Sequence, residues 1–212
     1  MRLIGYFRSS AAYRVRIALN LKGLAAEHRS VHLAKGEQKD AAFAALNPQK
    51  LVPVLEDGQD RLFQSLAILE YLEETHPEPP LLPAGAAARA RVRALAQVVA
   101  CEIHPLNNLR VLAYLTGEMQ ITEEMKLAWY RHWIAEGLAA LEAMLANSGD
   151  TGRFCHGDMP GLADVCLVPQ LFNARRFDCP LSDYPTLLRI DAECGALAAF
   201  RDAAPDVQAD AE

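Results

Sequence analysis

The chain reads as two domains of different class. A small α+β domain on a mixed four-stranded sheet is expected over residues 1–80, and an all-helical domain over 88–212, joined by a linker at 81–87. Three observations predict this. Up to residue 80, short strand-like runs alternate with helical periodicities in the order βαβ and then ββα. A proline-rich stretch, residues 77–85 (PEPPLLPAG), then interrupts the pattern with the composition of a stiff connection. Beyond it no strand pattern survives, and apolar faces of period 3.6 take over.

Taken in order, residues 3–7 predict a strand, and residues 12–22 a helix stopped by Gly23. A second strand is expected at 28–33 and a short helix at 39–46. Val52-Pro53-Val54-Leu55 leads to the turn Glu56-Asp57-Gly58 and on to Arg61-Leu62-Phe63, a hairpin by its turn chemistry. The helix over 65–75 is ended by His76-Pro77-Glu78-Pro79-Pro80. This order places helices on both faces of a small mixed sheet, the thioredoxin-like arrangement. In the second domain, residues 88–115, 123–146, 162–177 and 184–200 predict helices or helix pairs, and the stretch after Pro205 predicts disorder.

Composition narrows the function. With 212 residues, 51% hydrophobic and 23% charged, the chain is an ordinary globular protein with length for a sizeable core. A net charge of −6 with no basic stripe argues against nucleic acid, so any anion site must be a local basic pocket. The opening MRLIGYFRSS lacks the apolar core of a signal peptide and no run reaches membrane-spanning length, so a cytoplasmic protein is expected. Five cysteines (101, 155, 166, 179, 194) show neither C-x-x-C nor metal-ligand spacing, which suits reduced packing residues and predicts no metal dependence.

The most informative stretch is residues 6–20, YFRSSAAYRVRIALN. A polar turn, Arg8-Ser9-Ser10, runs into a helix whose Val15, Ala18 and Leu19 share one face. Unpaired N–H groups and the positive dipole end make such a turn a holder of anions, with Arg8 and Arg14 adding fixed charge nearby. The plainer alternative is that Ser9 or Ser10 only caps the helix. The same pair of readings applies to Gln64-Ser65 at the head of QSLAILEYLEE: Ser65 is a cap, or the helix start holds a carboxylate. Further on, Pro105 interrupts a helical pattern and predicts a kink at which His104 and Asn108, four apart, share one face, with Arg110 off it. Asp164, three residues after Gly161, complements a helix start. The adjacent Arg175 and Arg176 near that helix's end point about 100° apart, so they cannot equally face one site.

Segment 7–19, FRSSxxxRVRIAL, closely resembles the signature of zeta-class glutathione transferases, the group that includes maleylacetoacetate and maleylpyruvate isomerases. NPQKLVP (47–53), QSLAILEYLEE (64–74) and IHPLNNLRVL (103–112) match further family segments in order, so the resemblance covers essentially the whole chain. It implies the glutathione transferase fold, a homodimer, glutathione as cofactor, and cis–trans isomerisation of a maleyl diacid to its fumaryl isomer. It also implies roles. Ser9 sits beside the glutathione sulfur, with Ser10 as its neighbour and Arg8 supplying charge. Val52, ahead of a cis bond to Pro53, pairs with the cysteinyl backbone. Gln64 and Ser65 hold the glutamyl carboxylate, with Gln49 and Lys50 as weaker candidates. His104, where many relatives carry glutamine, is a hydrogen-bonding residue, joined by Asn108 on glutathione. Arg8, Asn108, Arg110 and Arg176 bind the substrate's carboxylates, and the arginine set leans to the smaller, more charged maleylpyruvate.

Two departures from the family pattern carry information. Gly161 stands where a capping threonine is usual, a loss of a few tenths of a kcal/mol at about the scale glycine caps show. Ala11 replaces the cysteine that in the family supports reductive dehalogenation, which favours isomerisation, a reaction that returns glutathione unchanged. A general conjugating or peroxide-reducing transferase is the alternative enzyme. A non-catalytic transferase-fold module is the alternative from another class; such a module would not need Ser9, Val52, Gln64 and Ser65 together.

Overall fold

Four short strands pair in the order β2-β1-β3-β4 in the computed structural model, which describes all 212 residues. They are β1 (Arg2–Gly5), β2 (Glu27–Ser30), β3 (Val54–Asp57) and β4 (Asp60–Phe63). β1 is parallel to β2 and antiparallel to β3, and β3 and β4 form the expected hairpin, with Gly58 at φ 60° in its turn. Alternation divides the side chains. Ile4 and Val54, paired across the sheet, pack with Val31 and Phe43 on one face, while their neighbours Leu3 and Leu55 are buried on the other. The second strand is shorter than expected: after Ser30 only the Val31 N–H still reaches β1, at Gly5 O (2.7 Å), before a 3₁₀ turn begins at Leu33.

Helices α1 (Ser10–Leu21) and α3 (Ser65–Thr75) pack against each other, and α2 (Ala41–Leu46) contributes Phe43 to the opposite face. The end of α1 carries a feature without sequence warning. Lys22, fully buried, places Nζ 3.0 Å from Glu73 Oε2, 2.6 Å from His76 O and 3.0 Å from Pro79 O. Glu73 Oε2 also accepts the Leu81 N–H (2.8 Å), so the proline-rich stretch is tied down at its start. Val52–Pro53 and Glu78–Pro79 are cis.

By packing, the chain falls into one unit of residues 1–81 with 195–212, and a second of residues 82–194. This corrects the expectation that the helical domain runs to 212 and that the stretch after Pro205 is disordered. Phe200, Ala203 and Pro205 are buried, the short α9 (Ala198–Arg201) and a 3₁₀ turn at Pro205–Val207 order the chain, and Asp210 and Glu212 bond to Phe7, Ser30, His32 and Lys35. The low hydrophobicity of the stretch hid polar partners that lie about two hundred residues away, at separations such as 203 and 180.

The second unit is helical: α4 (Ala86–Gln97), α5 (Leu109–Gly117), α6 (Glu123–Ala146), α7 (Leu162–Arg176) and most of α8 (Pro185–Gly195). None of the helices is long and apolar enough to cross a membrane. The stretch 88–115, read as a helix or a helix pair interrupted at Pro105, is a pair. A π-turn, Val98–Ile103, follows α4, and the His104 N–H reaches back five residues to Val99 O (2.9 Å). Pro105, which cannot donate, then turns the chain out of the helix. Thr122 caps α6, accepting from the Met125 N–H (3.1 Å), and Asp164 caps α7 by accepting the N–H of Gly161 and of Cys155, both at 2.8 Å. Burial pushes the Asp164 carboxyl up, and those N–H groups pull it back. Cys155, Cys166, Cys179 and Cys194 are buried thiols and Cys101 an exposed one; burial raises the pKa of Cys155, Cys179 and Cys194.

Gly137, within α6, has a packing reason. A Cβ there would overlap the buried Ile103 side chain, the last residue of the π-turn and the neighbour of His104. Alanine is the better helix former by about 1 kcal/mol, yet overpacking costs ~1–3 kcal/mol, so Gly137→Ala is expected to lower the denaturation midpoint. A midpoint at or above the parent's would show that Ile103 has room to move.

Candidate active site

The topology gathers the first unit's candidate residues at one end of the sheet. β1, β2 and β4 all run the same way, because β3 is antiparallel to both β1 and β4. β1 therefore delivers the start of α1, and β4 the start of α3, at that common end. Val52-Pro53 enters β3 from the same end, since Val54 pairs with Ile4 and Phe63. Two helix N-termini side by side focus positive potential there.

At α1, Ser9 is the N-cap, extended at φ −71° and ψ 114°, and its Oγ accepts from the Ala12 N–H (3.2 Å). A hydroxyl has two lone pairs and one proton, so capping leaves the O–H to be donated. Ser10, the first helical residue, is 6% exposed. The preceding turn is closed by the Ser9 N–H on Tyr6 O (2.9 Å). Within it Arg8 donates Nη2 to Tyr6 Oη (2.8 Å), with its guanidinium 4.8 Å from the Phe7 ring centroid. Arg8 is thus held against two aromatic rings beside Ser9.

At α3, Gln64 takes φ 68°, a conformation uncommon outside glycine, immediately before Ser65. Its Nε2 donates to Gln49 Oε1 (2.9 Å), which joins α3 to the loop carrying Gln49, Lys50 and Val52. Lys50, exposed at φ 56°, and Gln49 are shaped by Asn47, whose carbonyl takes the Lys50 N–H (2.9 Å) and whose side chain takes the Gln49 N–H (3.0 Å). Arg14 has a contact that the sequence reading did not include: it is 1% exposed and donates Nη1 to Ser65 Oγ (3.2 Å). With that oxygen accepting from a guanidinium, the Ser65 O–H is left to donate. The structure therefore brings Arg8, Ser9, Ser10, Val52, Gln64 and Ser65, with Gln49 and Lys50, to one end of one unit.

The second unit supplies the other candidates. His104, half-buried, ends the π-turn, and Asn108 caps α5, its Oδ1 accepting the Arg110 N–H (3.1 Å). The expectation that His104 and Asn108 share one helical face is corrected: a non-helical turn, residues 104–107, separates them. Arg110 is exposed in the first turn of α5. At the end of α7, Arg175 is committed to Asp191 (2.6 Å), while Arg176 stacks 5.1 Å from the Phe177 ring centroid and has no carboxylate partner. No group of three or more His, Cys, Asp or Glu side chains stands close enough to hold a metal ion.

A sheet end carrying two helix N-termini, two serine hydroxyls and the Arg8 guanidinium suits an anionic ligand. The glutathione S-transferase N-terminal domain matches residues 3–80 and the C-terminal domain residues 128–207. The chain belongs to the glutathione transferase family, in its zeta class. It is 54% identical over 211 residues to a probable maleylacetoacetate isomerase of Vibrio cholerae, covering 99% of this chain and 97% of the relative. It is 51% identical over 210 residues to a maleylpyruvate isomerase of a Ralstonia species, covering 99% of both. The solved structure of maleylacetoacetate isomerase from Anaeromyxobacter dehalogenans, with dicarboxyethyl glutathione and citrate in its active site, superposes with a TM-score of 0.88 at 51% identity, covering all of this chain and 93% of that one.

Proposed function

We propose that this chain is a glutathione-dependent cis–trans isomerase that converts maleylacetoacetate or maleylpyruvate to the fumaryl isomer. The observation that carries the reading is the paired site at one sheet end: Ser9 with a proton to donate at α1, and Ser65, set by Arg14, at α3. The glutamyl carboxylate of glutathione takes Ser65, Gln64 and the α3 N-terminus, with Gln49 and Lys50 at its flank. The Val52 backbone pairs with the cysteinyl residue, and the sulfur meets Ser9, with Ser10 and Arg8 beside it. A thiolate is the reactive form, and lowering its pKa by about two units takes ~2.7 kcal/mol of preferential stabilisation, within reach of a hydroxyl, a helix N-terminus and a guanidinium.

The thiolate then adds to one alkene carbon, forming a C–S bond, and the π pair moves to the conjugated carbonyl as an enolate. The former double bond rotates as a single bond. The enolate collapses, the C–S bond breaks and the thiolate returns, with no net proton or electron consumed. The substrate's carboxylates and the enolate call for guanidinium partners, which we assign to Arg8, Arg110 and Arg176, with His104 and Asn108 as hydrogen-bonding residues. We place the enzyme in the cytoplasm as a homodimer, supported by its resemblance to the zeta class. The ultraviolet spectra of maleylacetoacetate and maleylpyruvate, followed during incubation with enzyme and glutathione, test the assignment. Glutathione-dependent conversion of either supports it, and conversion of neither overturns it.

Ser65 contacts, on this reading, a part of glutathione that does not change during reaction. Its loss removes uniform binding, so Ser65→Ala is expected to raise the KM for glutathione about tenfold and leave kcat at saturating glutathione within about twofold. A large fall in saturated kcat would contradict that role.

A further inference from the structure

The turn bearing Arg8 and Ser9 is gripped from outside by residues that the reaction scheme leaves unused. The two backbone groups of Phe7, the residue before Arg8, are both engaged. The N–H donates to Asp210 Oδ2 (3.1 Å) and the C=O accepts from Arg16 Nη2 (2.9 Å). Each holder is itself anchored. Asp210 Oδ2 also accepts the Ser30 hydroxyl (2.7 Å) at the end of β2, and Arg16 Nε donates to Ala203 O (2.9 Å). Arg16 is 4% exposed; burial lowers its pKa to about 10, with Tyr13 and then Asp210 pulling it back up. A second strand of contacts runs parallel: Glu212 Oε1 lies 2.8 Å from His32 Nε2, the His32 ring is 5.0 Å from that of Tyr6, and Tyr6 accepts from Arg8. The stretch 203–212 thus reaches back to the backbone in front of Ser9 and to the ring beneath Arg8.

We propose that Asp210 is a positioning residue of the isomerase: by fixing the Phe7 peptide it sets where the Ser9 hydroxyl meets the glutathione sulfur. The proposal rests on the assignment of Ser9 as the thiolate's donor. A charge-assisted bond to a backbone N–H is among the stronger restraints on a turn, and a hydroxyl displaced by a fraction of an ångström donates poorly to a sulfur anion. Asp210 touches neither cofactor nor substrate in this account; it acts through the turn.

The test is the pKa of enzyme-bound glutathione, read from thiolate absorbance against pH, together with kcat, KM and the thermal midpoint. For Asp210→Ala the bound thiol's pKa is expected to rise by about one unit and kcat at neutral pH to fall about tenfold, with the glutathione KM changed less than about threefold. Asp210→Asn keeps an oxygen acceptor for the Phe7 N–H and is expected to recover most of both. Ser30→Ala, which removes only one of the bonds to Asp210, should shift the thiol pKa less and in the same direction, and it decides the matter should the alanine variant at 210 not fold. A contact that merely stabilises the fold would lower the midpoint and leave the thiol pKa unmoved in the folded variants, and that result overturns the proposal. Ser9→Ala, run beside them, separates the two readings. If Ser9→Ala raises the thiol pKa and the Asp210 and Ser30 variants do not, the positioning role alone falls. If Ser9→Ala leaves it unmoved, the Ser9 assignment falls and the Asp210 role with it.

Discussion

Ser9→Ala is expected to lose about a hundredfold or more in kcat while still binding glutathione, because a single donor to developing or stored negative charge is worth 10²–10³ in such sites. The hydroxyl serves twice. Its oxygen accepts the Ala12 N–H at the α1 N-terminus, and its O–H, in the proposed mechanism, donates a hydrogen bond to the sulfur anion. Losing the cap costs about 1 kcal/mol of stability, too little to unfold an ordinary domain. The carboxylate anchor at Ser65 stays, so binding persists while the thiol's pKa climbs. Ser10→Ala should be milder, since Ser10 begins the helix as a buried residue one position further in. Steady-state kinetics with a titration of the bound thiol check this, and a reversed order of the two effects would move the thiolate's partner to Ser10.

Arg176→Ala is expected to harm a maleyl diacid by ~2–4 kcal/mol, roughly 30- to 1000-fold in kcat/KM, and to change turnover of a neutral electrophile such as a chlorinated nitrobenzene by less than about 1 kcal/mol. The two arginines at the end of α7 differ in commitment. Arg175 is engaged by Asp191 at 2.6 Å, whose carboxyl burial raises and Arg175 lowers. Arg176 has an aromatic platform and no acid. Arg175→Ala therefore serves as the comparison: it should cost stability at the α7–α8 contact and spare the discrimination between the two substrates. Equal losses on diacid and neutral compound for Arg176→Ala would sink the carboxylate role, and a selective loss at Arg175 alone would shift that role by one residue.

Much of this architecture is legible in local sequence, and the remainder fails to be for one physical reason. A helix cap at Ser9 or Ser10 could be placed because the determinant lies three residues from its partner, and the structure selects Ser9. Asp164 could be placed for the same reason, its Oδ2 holding the N–H of Gly161 three residues back. Periodicity found α6 at its observed bounds, Glu123–Ala146. It overreached at residue 104, since the five-residue bond of the π-turn shifts the 3.6-residue phase without a mark in the sequence and Pro105 then ends the helix, so the face expected to join His104 and Asn108 is not formed. Arg14 on Ser65, separated by 51 residues, and Asp210 on Phe7, separated by 203, leave no periodic trace at all. Arg14, read as fixed charge near the serine turn, holds Ser65, and Asp210, within the stretch read as disordered, holds Phe7.

The buried Lys22–Glu73 pair bears on how this protein can diverge. Either residue replaced alone strands a charge away from water, a loss of about 3–5 kcal/mol. Elsewhere a concerted swap to two apolar side chains is often neutral, and lineages can drift through it. Here that route is closed as well, because the same two side chains serve the carbonyls of His76 and Pro79 and the N–H of Leu81. An apolar pair would leave those three backbone groups without these partners, at about 1–3 kcal/mol for each one left unsatisfied. Lysine and glutamate at these positions are therefore entrenched by the peptide bonds around them more than by their attraction for each other, and the path of the chain from α3 toward the second unit is inherited with them.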